Sequence, residues 1–177
     1  AARELGIRVC NSVDYSTASV VQHTLMLMLA LSTRVLDYVT DVRAGRWSQS
    51  PFFSLLDHQV QELAGKRLGI IGYGAIGRGV ARVAEALGME VLVAQSLAGS
   101  PQFQCGQRLP VDELVSAVDV LSLHCPLSEY SRGVIGAERI RRMRDDAMLI
   151  NVSRGGLGDE QALVEALREG RLRGAAL

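Results

Sequence analysis

Four short runs, RLGII (67–71), EVLVA (90–94), DVLSLH (119–124) and AMLIN (147–151), are apolar almost from end to end, and each leads into a turn and usually a helical stretch. A strand that alternates apolar and polar residues covers one face only, whereas a continuously apolar strand is covered on both. Strands separated by helices also pair in parallel. The pattern therefore predicts an α/β chain built on a doubly wound parallel sheet. The closing LRGAAL (172–177) reads as a further strand entered and cut off. The opening AARELGIRVCN begins without Met and reads as the last turns of a helix followed by a short strand, IRVC (7–10). Both ends together suggest a fragment of a longer protein.

A chain of 177 residues suits one ordinary domain and buries roughly 70% of its unfolded surface without metals or disulfides. Nineteen basic residues balance nineteen acidic ones, so no global field recruits nucleic acid or an anionic membrane. The charge run RIRRMRDD (139–146) reads as a solvated helix end. Cys10, Cys105 and Cys125 stand far apart, which suits a reducing compartment, the cytoplasm by default. The apolar LMLMLAL (25–31) is too short to span a bilayer, and no signal-peptide pattern opens the chain. No metal site is expected. Helix formers without Pro or Gly run from Ser16 to about Arg43, opened by the capping hydroxyls of STAS and closed by Gly45. They predict one buried helix of roughly 40 Å. The expected organisation is a remnant of another domain over 1–11, a long interdomain helix over 12–46, and a nucleotide-binding domain over 47–177.

Between the first strand and the next helix stands GYGAIG, with Gly72, Gly74 and Gly77 at G-x-G-x-x-G spacing. Such glycines permit a tight turn, close approach to a pyrophosphate, and close packing of helix on strand, so that helix N–H groups face the phosphates. The helix is checked by its period: Ile76, Val80, Val83, Ala84 and Leu87 form one stripe, and Gly88 ends it. The acid expected about 20 residues on, where it would bind the ribose hydroxyls, is replaced by Gln95. The next basic residue is Arg108. Glutamine can bond a ribose hydroxyl but lacks the charge that repels a 2′-phosphate. NAD is the favoured cofactor, with NADP not excluded.

GKRLGIIGYGAIGRGVA, DVLSLHCPLSEYSRGVIG and MLINVSRGGLGDEQALVEALREGRLRGAAL, in that order, resemble the NAD-binding domain of the D-isomer-specific 2-hydroxyacid dehydrogenases, a Rossmann-type fold. YSTASVVQHTLMLMLAL is similar to that family's interdomain helix, and WSQSP (47–51) leans toward the glycerate dehydrogenase or hydroxypyruvate reductase branch. The resemblance implies an oxidoreductase that moves a hydride between a nicotinamide cofactor and a small 2-hydroxy or 2-oxo acid, working as a homodimer. It implies that Gly72, Gly74, Ala75, Ile76 and Gly77 meet the pyrophosphate, and that Thr24, Gln95, His124, Cys125, Pro126 and Ser131 line the cofactor site. It also implies that Val152 and Ser153 lie near the nicotinamide and that Arg154 grips the substrate. Ser131 stands where threonine is commoner, and Gln95 where aspartate is usual.

Physical chemistry agrees on Arg154. A guanidinium fork can hold a 2-oxo acid's carboxylate bidentately and polarise the adjacent ketone, from a loop at the carboxyl end of a strand. Ketone reduction also needs a proton donor. His23, on the apolar helix, reads as a packed or linker residue, and His58 sits at the wrong end of the sheet. His124 belongs to a segment, HCPL, that serves binding. The family's catalytic histidine and its acidic partner are expected beyond Leu177, so these residues alone are expected to turn over poorly. Cys125 reads as a small core-edge residue. The competing readings are an NADH-sensing module of the same fold, a structural subunit with a vestigial nucleotide site, and a relative of the adenosylhomocysteinases. The last resembles GYGAIGRG but leaves Arg154 unexplained.

Overall fold

The computed structural model describes residues 2–12, 14–99 and 108–177; Cys105 lies outside them. Three helices come first, α1 (Thr17–Thr33), α2 (Val35–Arg43) and the short α3 (Arg46–Gln49). The alternating part follows: β1 (Arg67–Ile71), α4 (Ala75–Ala86), β2 (Glu90–Ala94), β3 (Arg108–Leu109), α5 (Val111–Ala117), β4 (Val120–Leu123), α6 (Ala137–Arg142), β5 (Ala147–Asn151), α7 (Glu160–Arg168) and β6 (Leu172–Ala176). A 3-10 turn, Gly155–Leu157, precedes α7.

The strands form one sheet in the order β3-β2-β1-β4-β5-β6, and every pair is parallel. This is the doubly wound arrangement expected from the apolar runs. The chain steps outward from β1 through β2 to β3, then returns to place β4 on the other side of β1. A crevice therefore opens at the carboxyl ends of β1 and β4, where open α/β sheets take ligands. The central strands are buried on both faces, as their composition demanded. One core cluster gathers Val111, Leu114 and Val115 of α5 with Ile140 of α6 and Leu163 of α7. The other joins Met28 of α1 to Val80, Ala81 and Ala84 of α4. The charge run is tied down at its start, because Arg139 holds Asp112 of α5 through two hydrogen bonds of 2.9 and 3.1 Å.

Five expectations need correction. The long helix is two helices, bent by 65° at Arg34, whose φ of 56° lies in the left-handed region. No Pro or Gly marks the break. Its local cause is that the hydroxyls of Ser32 and Thr33 both donate to the Leu29 carbonyl, at 3.1 and 2.7 Å, in competition with the backbone ladder. Its start is uncapped by side chains, since Ser16 makes no capping bond. The helix is also far from fully buried: only Thr24, Met28 and Ser32 are buried, four residues apart, while Met26 and Leu29 are 47% and 41% exposed. The stripe of α4 is rotated relative to the expected one, with Gly77, Val80, Ala81 and Ala84 buried and Val83 and Leu87 each 38% exposed. Finally, IRVC is not a strand, because among the described residues no neighbour pairs with it. Among the described residues no single helix is long and apolar enough to cross a membrane.

The nucleotide turn depends on missing side chains. A Cβ at Gly77 would lie 2.2 Å from the Gly72 carbonyl oxygen, whereas one at Gly74 would meet nothing within 4 Å. Gly77→Ala is expected to destabilise the fold by about 2 kcal/mol or more, as overpacking against rigid backbone does. Gly74→Ala should cost about 1 kcal/mol or less. Urea midpoints at unchanged slope check both, and equal midpoints for the two variants would refute the packing argument.

Candidate active site

The carboxyl end of β1 enters the GYGAIG turn, and the carboxyl end of β4 runs directly over it. The His124 N–H donates to the Ile71 carbonyl at 2.7 Å, which carries the parallel ladder to the brink of the turn. Gly72 then adopts a φ of 98°, and a Cβ there would stand 2.4 Å from the Cys125 nitrogen. Two requirements, a positive φ and contact with the neighbouring backbone, therefore coincide on one glycine. Gly77 is needed because α4 is packed against the turn. Gly74, the N-cap of the 12-residue α4, has open space where its side chain would be, so nothing within the protein requires its bareness. The open space leaves room for a ligand to approach the backbone there. Ala75, Ile76 and Gly77 supply the first amides of α4, which lack carbonyl partners inside the helix.

A cavity of about 390 Å³ opens beside this turn, lined by Gly72, Tyr73, Gly74, Gln95, His124, Cys125, Pro126 and Ser131 among others. Its size, the bare Gly74 and the α4 N-terminus fit the pyrophosphate and adenosine portion of a nicotinamide dinucleotide. One more observation supports the fit: His124 Nδ1 is buried without a hydrogen-bond partner, a polar atom available to a ligand. Its other nitrogen, Nε2, lies 2.9 Å from Ser122 Oγ. Burial lowers the His124 pKa to about 4, so the ring is neutral at pH 7. Burial also pushes the Cys125 thiol up, so it stays protonated and is no nucleophile. Ser131 acts on the loop. Its hydroxyl donates to the Pro126 carbonyl at 2.7 Å and accepts from the Ser128 N–H at 2.8 Å.

Beyond the end of β4 lies a second cavity of about 340 Å³, whose walls include His23, Leu123, Asn151, Val152, Ser153 and Arg154. Asn151, the last residue of β5, ties the Arg154 loop at both ends: its Nδ2 donates to the Arg154 carbonyl at 2.9 Å and its Oδ1 accepts from the Ser153 N–H at 3.0 Å. Ser153 Oγ donates to the Leu123 carbonyl at 3.0 Å, which fastens the loop to β4. The Arg154 guanidinium is exposed and bonds only its neighbour's carbonyl, Nη1 to Ser153 O at 2.8 Å. Asp159 caps the following α7 by accepting from the Ala162 N–H at 3.1 Å. The result is a cation on a pinned turn at a cavity mouth, with no carboxylate paired to it among the described residues.

Most of the residues singled out in the sequence gather at these two cavities. Thr24 lines neither of them: it is fully buried and its hydroxyl donates to the Val20 carbonyl at 2.7 Å. Its neighbour His23, read as a packed or linker residue, is not packed but exposed and shares the cavity of Arg154, because a helix turns adjacent residues to different sides. His58 is remote from both cavities and bonds Asp41 at 2.8 Å. Asn151 was missed as a site residue, although an Asn ending a strand before S-R-G-G is a recognisable turn signal.

The neutral state of His124 has a measurable consequence. Its pKa in the unfolded chain is near 6.5 and in the folded chain about 4, so the unfolded state binds the proton first as pH falls. The stabilising effect of keeping it neutral is complete above pH 6.5 and is lost progressively toward pH 4, on the order of 3 kcal/mol in all. Denaturant unfolding of the chain and of His124→Gln should therefore diverge over that window, with the variant losing less. Parallel profiles would contradict a buried neutral ring.

Residues 25–177 match the family model of the D-isomer specific 2-hydroxyacid dehydrogenase, NAD binding domain. A glycerate dehydrogenase of Methylorubrum extorquens is 40% identical over 175 residues, 99% of this chain and 54% of that protein. Among solved structures, an acyclic imino acid reductase in complex with NADPH and D-Arg superposes with a TM-score of 0.86 at 30% identity, covering 99% of this chain and 56% of the other. A D-lactate dehydrogenase from Aquifex aeolicus, complexed with NAD and lactic acid, superposes with a TM-score of 0.82 at 31% identity, covering 98% and 51%. The chain thus spans about half the length of the relatives it matches. With the dinucleotide turn, the pinned arginine and the family match in agreement, this chain belongs to the D-isomer-specific 2-hydroxyacid dehydrogenases and carries their NAD-binding domain.

Proposed function

We propose that the parent enzyme transfers a hydride between a nicotinamide dinucleotide and a small 2-oxo acid of the hydroxypyruvate or glyoxylate kind, and that this chain holds the cofactor and the substrate-gripping arginine. The observation that carries the reading is Arg154, pinned by Asn151 at the mouth of one cavity while the dinucleotide turn opens into the next. The bound cofactor supplies the hydride. Arg154 pairs with the substrate's carboxylate and draws electron density from its ketone, which orients the carbonyl carbon and stabilises the alkoxide that develops. The Asn151 and Ser153 bonds hold that guanidinium's loop in place, so little ordering remains to be done on binding. Leu123, Ile135 and Leu149 give the cavity an apolar wall.

The proton donor is assigned to the remainder of the parent. His124 is neutral and faces the other cavity, and His58 is engaged by Asp41. His23 shares the cavity of Arg154, but the family resemblance places the catalytic histidine beyond Leu177. The NADH-loaded chain is expected to bind hydroxypyruvate and to reduce it slowly. Arg154→Lys should weaken hydroxypyruvate binding roughly tenfold or more, since an ammonium cannot replace the bidentate fork, and calorimetric titration checks this. An ordinary enzymatic rate that His23→Asn abolishes would overturn the assignment of the donor.

We also propose that the exposed apolar face of α1, with Met26, Leu29 and the adjoining Val35 and Val83, seats a second copy in a homodimer. These side chains line one shallow apolar groove, and an exposed patch of this kind marks an interface. Sedimentation should show a dimer that Met26→Glu combined with Leu29→Glu converts to monomer.

A further inference from the structure

The cavity beside the dinucleotide turn contains a cation whose place sequence distance concealed. Arg108 is thirteen residues beyond Gln95, yet β3 pairs with β2 so that Arg108 stands opposite Val93 and Leu109 opposite Ala94. The Gln95 N–H donates to the Leu109 carbonyl at 2.8 Å, which closes that edge. Arg108 thereby lines the same cavity as Gln95 and Ser96. Its guanidinium carbon lies 5.7 Å from the centre of the Tyr73 ring, the residue between the first two glycines of the turn, within cation–π range.

We infer that Arg108 receives the 2′-phosphate of an adenosine ribose and that this site prefers NADP(H) to NAD(H), an inference that rests on the dinucleotide reading above. The end of β2 is where an NAD site places a carboxylate against the ribose 2′-hydroxyl and an NADP site tolerates a phosphate beside an arginine. Here the carboxylate is absent and Gln95 stands in its place. Among the described residues, Arg108 is the one charged side chain on the cavity wall at neutral pH. No carboxylate pairs with it among the described residues. Its Nη1 reaches the Ala94 carbonyl only at 3.5 Å, the outer limit of a hydrogen bond, and its Nε is buried without a partner. Tyr73 holds the guanidinium plane beside the turn, so its donors are oriented before the ligand arrives. A fork of this kind is matched by phosphate oxygens, whereas a 2′-hydroxyl leaves the charge uncompensated.

The test is calorimetric titration of the chain with NADPH and NADH, and with 2′,5′-ADP against 5′-AMP. NADPH and 2′,5′-ADP should each bind roughly tenfold or more tightly than the counterpart lacking the 2′-phosphate, and the margin should shrink as salt rises. Arg108→Ala should bring both ratios to about one and Arg108→Lys should retain part of the preference, with circular dichroism confirming folding. Should the alanine variant not fold, Gln95→Asp, at an exposed position, decides: it should reverse the preference, and an unchanged ratio overturns the inference. Equal or tighter binding of NADH overturns the assignment of Arg108 while leaving the dinucleotide reading in place. Binding of neither dinucleotide overturns both.

Discussion

Everything at this site depends on one backbone contact. The chain leaving β4 passes so close to Gly72 that a single added carbon would stand 2.4 Å from the Cys125 nitrogen. That approach is possible because β1 and β4 are neighbours in the sheet, the point where strand order reverses. It has two effects at once. It closes one wall of the dinucleotide cavity with His124 and Cys125, and it aligns the Ser153 hydroxyl with the Leu123 carbonyl, so that the Arg154 loop is anchored to the strand that borders the cofactor. Two sites of different chemistry are thus held in fixed relation by a parallel ladder rather than by flexible loops, as substrate and cofactor alignment requires.

The charges follow the same geometry. Several carboxylates and cations pair on the outer helices and strand starts, as in the Arg139–Asp112 and Arg67–Glu90 contacts. The two cavities keep an arginine each, Arg154 and Arg108, without a carboxylate partner among the described residues. A chain with no net charge therefore carries two local positive sites, one at each cavity. Specificity of this kind comes from placement, since a global field would also recruit unrelated polyanions.

Much of the architecture was legible in the amino-acid order. Buried parallel strands have a distinctive composition, so RLGII, EVLVA, DVLSLH and AMLIN were found within a residue of their observed bounds. The glycine spacing located the dinucleotide turn, and the S-R-G-G loop located Arg154. The misreadings share a cause. Helix formers without Pro or Gly give no warning that two hydroxyls will draw on one carbonyl at Leu29. An apolar heptad at 25–31 does not say which of its residues meets the sheet and which meets solvent. β3, two residues long, carries no periodicity, so Arg108 could not be placed beside Tyr73.

The sequence by itself determined the fold class, the dinucleotide turn and the place of Arg154 on a loop at the carboxyl end of a strand, because these rest on local rules: burial on both faces, glycine's freedom at positive φ, and strand ends that feed loops. Only the tertiary structure decided which glycine serves packing and which leaves room for a ligand, that His23 shares the cavity of Arg154 while Thr24 is buried, and that Arg108 joins the cavity of Gln95. Those outcomes depend on the pairing of segments distant in the chain. Parallel pairing is selected by the energy of the whole sheet and has no signature at any one residue.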